Sequence, residues 1–100
     1  MRTDIKTIDI DTLIVRISGV VTTDMDGEIG MLHMEKGMYY ALNDVGTRIW
    51  QMIEKPEPIR GIIDGLRREY AVDAEHCREQ VLEFLEAMYK NGLIEITDAG

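Results

Sequence analysis

The chain has 100 residues, 45% hydrophobic and 30% charged, the composition of one small soluble domain rather than a disordered tail. Its net charge of −8, from 19 acids against 11 bases, argues against a protein that lives on phosphate backbones or anionic membrane surfaces. No apolar run is long enough to cross a bilayer, and Met1–Lys6 has neither the apolar run nor the cleavage site of a secretory signal.

The first half reads as strands. Leu13–Ile17 is β-branched and apolar, and Ser18-Gly19 closes it. Asp24–Gly27 is rich in turn residues, and Glu28–Met34 follows as a second strand. Within it Ile29, Met31 and His33 share one face, and Gly30, Leu32 and Met34 the other. Both faces are largely apolar, so this strand is expected to be central and partly covered on each side. Glu35-Lys36-Gly37 forms a hairpin loop with Gly37 in the left-handed conformation, and Met38–Leu42 is the third strand.

At Asn43 the pattern turns helical. Asn43 is a good N-cap, Asp44 suits the positive end of the helix dipole, and Val45, Ile49, Met52 and Ile53 follow helical spacing. Pro56 and Pro58 end that helix. A second helix carries Ile59, Ile62, Ile63, Leu66 and Tyr70 in one stripe. A third, capped by Asp73, runs through Val81, Leu82, Leu85, Met88 and Tyr89 to Asn91-Gly92, and Leu93–Ile96 forms a short closing strand. The fold class is therefore α+β, winged-helix-like: an N-terminal three-stranded antiparallel sheet followed by three helices, as one domain over residues 1–100 with its core at 13–96.

Chemistry-bearing constellations are sparse. His33 lies within an apolar strand and reads as a packed histidine. His76 and Cys77 are adjacent on a helix, so they point about 100° apart and share no metal readily. Cys77 falls on the apolar stripe and reads as a small packed hydrophobe; as the only cysteine it makes no internal disulfide, which fits a reducing cytoplasm. Asp24-x-Asp26-Gly27-Glu28 lacks the spacing of a calcium loop, and no phosphate-cradling glycine motif occurs. Neither an enzyme, a cofactor nor a metal site is expected.

The strand Met38–Leu42 is more informative. It carries no charge, so the usual guard against edge pairing is missing, and nothing after it is an obvious neighbour before Leu93. An open edge there would accept an extended peptide by backbone pairing, with side pockets setting specificity. Met31, Met34 and Met38 around the hairpin would supply an adaptable apolar surface. The same edge could also pair with a second copy of the chain, giving a homodimer.

The run Gly37-Met38-Tyr39-Tyr40-Ala41-Leu42-Asn43-Asp44-Val45-Gly46-Thr47-Arg48-Ile49-Trp50 resembles the signature of the PqqD-like family. Ile62-Ile63-x-x-Leu66, Tyr70-x-Val72-Asp73, Val81-x-x-Phe84-Leu85 and Gly92-Leu93-Ile94 extend the resemblance over about residues 13–96. The resemblance implies a RiPP recognition element, a non-enzymatic chaperone that binds the leader of a ribosomally made precursor peptide and presents it to a modifying enzyme or leader protease. Within the family the pattern is nearer to the free-standing proteins of lasso-peptide clusters.

The resemblance further implies that the leader docks as an antiparallel strand on Met38, Tyr39, Tyr40, Ala41 and Leu42. The third helix would wall the groove with Cys77, Arg78, Val81, Leu82 and Leu85. Either rim of that helix could face the peptide, Cys77 and Phe84 marking one side and Leu82 and Tyr89 the other. The competing reading is a winged-helix DNA-binding regulator, with Lys55, Arg60, Arg67 and Arg68 as a basic patch. Against it, the third helix carries Asp73, Glu75, Glu79, Glu83 and Glu86 against only Arg78 and Lys90.

Overall fold

The computed structural model describes residues 10–97, so the reading of Met1–Lys6 lies outside the described residues. In chain order the elements are β1 (Leu13–Arg16), β2 (Val20–Met25), β3 (Glu28–His33), β4 (Met38–Leu42), α1 (Asp44–Met52), β5 (Glu57–Pro58), α2 (Ile59–Tyr70), α3 (Ala74–Lys90) and β6 (Ile94–Thr97). They form two three-stranded antiparallel sheets, ordered β5-β1-β6 and β2-β3-β4, with three helices.

The class expected from sequence holds, but the membership of the N-terminal sheet is corrected. Its first strand is β2, which the sequence reading passed over, and not Leu13–Ile17. Gly19 at φ +86° turns the chain out of β1, which is enclosed between β5 and β6 with Ile14 wholly buried. β2 and β3 are joined by Asp26-Gly27, both at positive φ, the backbone of a tight hairpin turn; the Asp24 carboxylate accepts from the Gly27 N–H at 3.1 Å.

The expected pairing of β3 with β4 is present, with Met31 opposite Tyr40 and Ile29 opposite Leu42. Their connection is one residue longer than expected, because β3 ends at His33 and Met34 belongs to the loop; Gly37 has φ +67°. β3 is central and, as expected, partly covered on each side, with Gly30 on the outer face buried beneath Tyr39 and Thr23. Met31 and His33 are buried, whereas Leu32 and Met34 on the opposite side are exposed. Tyr39 lies across Gly30 on that outer face, its hydroxyl where a side chain at Gly30 would begin.

The helices begin where local chemistry places them. The Asn43 side chain accepts from the Gly46 N–H at 2.8 Å and that of Asp73 from the His76 N–H at 3.0 Å, each satisfying an otherwise orphaned donor. One apolar cluster joins both sheets to all three helices: Ile14 and Met31 from the sheets, Ile49, Trp50 and Ile53 from α1 and its end, Ile59, Ile62 and Leu66 from α2, Val81 and Leu85 from α3. Each such burial contributes about 1.5–3 kcal/mol before entropy is charged against it. Arg16 lies over the Trp50 ring, 5.2 Å from its centroid, and Arg48 grips Glu69 with Nε 3.0 Å from each carboxylate oxygen, tying α1 to α2.

Candidate functional site: the β4 edge and the groove beside α3

Sheet position decides what β4 can do. It pairs with β3 on one side and, among the described residues, with no strand on the other. Met38, Tyr39 and Ala41 are exposed, Tyr40 is half-buried and Leu42 is buried. A row of main-chain donors and acceptors with no charged side chain between Met38 and Leu42 therefore faces outward.

Both ends of this strand are fixed by side chains. At the Leu42 end, the Thr47 hydroxyl donates to the Leu42 carbonyl at 3.4 Å and accepts from the Ile29 N–H at 3.0 Å. Thr47 is buried in the first turn of α1, and its hydroxyl takes over the ladder where β3 and β4 part. At the Met38 end, Lys36 Nζ donates to the Asn91 carbonyl at 3.0 Å and the Tyr40 hydroxyl lies 3.5 Å from Asn91 Oδ1. Asn91 Nδ2 donates to the Ala87 carbonyl at 2.8 Å, which leaves Oδ1 turned toward the tyrosine. Buried His33 accepts the Lys36 N–H on Nδ1 at 3.3 Å, bracing the same hairpin.

These contacts set α3 beside β4. Asn91 stands near Tyr40, and Phe84 stands against Gly46, where an added Cβ would meet the ring at 3.1 Å. Just past the Leu42 end the space opens into a cavity of about 290 Å³. Asn43, Val45, Gly46 and Ile49 line it from α1 and its cap, Leu66, Tyr70 and Val72 from the end of α2 and beyond, and His76, Cys77, Gln80, Val81 and Phe84 from α3. The flank of α3 marked by Cys77 and Phe84 faces the β4–α1 junction.

Of the five helix residues expected to wall the groove, Cys77 and Val81 line the cavity. Arg78, Leu82 and Leu85 do not. At 100° per residue, Arg78 and Leu82 swing to the opposite flank of α3, Arg78 exposed and Leu82 packed on the core, while Leu85 is wholly buried. Sequence reasoning gave no role to Thr47, Lys36 or Gln80. A threonine in a helical first turn straight after a strand was the one available signal. Burial pushes the Cys77 thiol above its ordinary pKa, with Arg67 pulling weakly the other way, so the thiol stays protonated.

Among the described residues no group of three His, Cys, Asp or Glu side chains could hold a metal ion, and no helix is long and apolar enough to cross a membrane. The solvent side of α3 exposes Glu75, Glu79, Glu83 and Glu86, a face that phosphates would repel.

Comparison with known proteins gives the following. The family described as coenzyme PQQ synthesis protein D (PqqD) matches residues 28–94. The structure of TbiB1 in complex with the TbiA(beta) leader peptide is similar, with 32% identity over 81% of this chain and 94% of that one and a TM-score of 0.75. A lasso peptide synthetase B1 complexed with the leader peptide shares the fold at 18% identity, over 82% of this chain and 96% of that one, with a TM-score of 0.72. No curated protein matches the sequence.

Proposed function

The chain belongs to the PqqD family, and from that footing we propose that it is a non-enzymatic adaptor for a ribosomally made precursor peptide. It binds the leader as a further antiparallel strand on β4, holds leader side chains in the adjoining groove, and presents the rest of the precursor to a modifying enzyme or leader peptidase in the cytoplasm. The observation that carries this reading is the uncharged open edge of β4 next to an apolar cavity. It is supported by the 32% identity to a protein solved with a leader peptide bound.

The binding mode needs no catalytic group. Main-chain pairing supplies register and part of the affinity, and a few apolar side chains in the cavity supply selectivity. Met38, Tyr39, Tyr40, Ala41 and Leu42 provide the pairing strand, and Cys77, Val81 and Phe84 the wall. A second copy of the chain would compete with the leader for this edge.

The test takes a short precursor peptide sought among the neighbouring genes and divides it into leader and core segments. The leader segment binds in calorimetric titration and the core segment does not. Incubating the whole precursor with this chain alone leaves its mass unchanged. Binding confined to the core segment, or a mass change caused by this chain alone, contradicts the reading.

A further inference from the structure

We infer that the groove between β4 and α3 has an electrostatic direction, so that the peptide it takes carries basic residues on the N-terminal side of its apolar segment and acidic residues on the C-terminal side. This rests on the strand-addition reading above and goes beyond it by specifying the ligand's charge order.

The direction follows from which charges stand at which end. β4 and α3 run past each other in opposite senses, since Tyr40 meets Asn91 while Gly46, beyond the Leu42 end, meets Phe84. At the Leu42 end stand three exposed carboxylates: Asp44 at the start of α1, Glu83 next to Phe84, and Glu79 one turn farther along α3. Arg48, the nearest base on α1, is already engaged by Glu69. At the Met38 end stand Lys36, whose Nζ lies on the Asn91 carbonyl, and Lys90, against Glu35 in the hairpin and Glu86, one turn back on α3 and rotated farther from Asn91 than Lys90 is. Glu83 and Lys90 are seven residues apart, so they lie along one flank of the helix and label its two ends with opposite sign.

The sheet β2-β3-β4 is antiparallel throughout, and a strand added in the same sense runs opposite to β4. Its N-terminal residues then pass the carboxylates beside Leu42, and its C-terminal residues pass the lysines beside Met38. A peptide with this charge order is attracted at both ends, whereas one with the reverse order, or threaded in the parallel sense, is repelled at both. Such complementarity fixes register and orientation and speeds encounter. Since the charges are exposed, the preference weakens as salt screens them.

The test is selection from a displayed library of random 20-residue peptides on the full wild-type chain, followed by binding measurements on the enriched peptides. The expected result is Lys or Arg enriched before the apolar segment and Asp or Glu after it. The Glu79→Lys/Glu83→Lys double variant should bind those peptides about three- to tenfold more weakly at low salt, the difference shrinking at high salt. Both positions are exposed, and an unchanged melting temperature confirms the fold. Enriched peptides that pair with β4 but show no charge order, or the reverse order, overturn the electrostatic direction and leave strand addition standing. Enriched peptides that ignore the β4 edge, or no enrichment at all, overturn strand addition and the charge order with it.

Discussion

Thr47 does at one atom what a longer strand would do with several. Its buried hydroxyl serves the Leu42 carbonyl and the Ile29 N–H together, so β4 stays flat against β3 up to the point where α1 begins. Thr47→Val keeps the shape and leaves both main-chain groups buried without that partner. It should cost about 1–3 kcal/mol in denaturant unfolding and weaken peptide binding as the strand end frays. A variant as stable as the wild type would remove Thr47 from this account. Cys77 offers a second check at the same scale. With its thiol pKa raised by burial, the folded chain should react with a disulfide reagent at pH 8 far more slowly than the unfolded chain, and an occupied groove should slow the reaction further. Equal rates folded and unfolded would mean that the thiol is not packed as described.

Among the elements, the open edge of β4 is the one on which the proposed function rests, and it was legible in the sequence. An uncharged strand that runs directly into a capped helix with no later partner nearby has few other fates. β2 was not legible in the same way. From Val21 to Met25 it is exposed, so burial imposed no alternation on it, and only the Asp26-Gly27 turn advertised a hairpin. The cavity was illegible for a different reason. Its walls come from α1, the end of α2 and α3, and which flank of α3 faces inward is set by how that helix packs against the other two, a tertiary fact that helical spacing alone does not carry. A proline scan tests the edge itself. Along an edge strand alternate N–H groups point to the partner strand and outward. Of Tyr40→Pro and Ala41→Pro, the variant that removes the outward donor should fold normally and lose at least tenfold in leader affinity, while the other should lose stability through its broken ladder bond. Fast amide exchange in the free chain identifies the outward donor beforehand. A folded variant lacking it that binds at wild-type affinity would rule out pairing through that residue.

For the molecule as a whole, the two sheets divide the labour. The β5-β1-β6 sheet closes the core around Ile14, Leu93 and Ile94, and the β2-β3-β4 sheet leaves its outer face and the β4 edge to solvent. Exposed carboxylates spread over α3 give that face a negative field, which opposes both self-association and phosphate backbones. The most direct measurement is the amide spectrum of the isotope-labelled chain with the leader segment bound. Cross-strand contacts from leader Hα protons to β4, with slowed exchange of the outward amides between Met38 and Leu42, are what strand addition produces. A leader bound tightly while those amides keep their free shifts and exchange rates, with protection appearing at β2 or elsewhere, would contradict it.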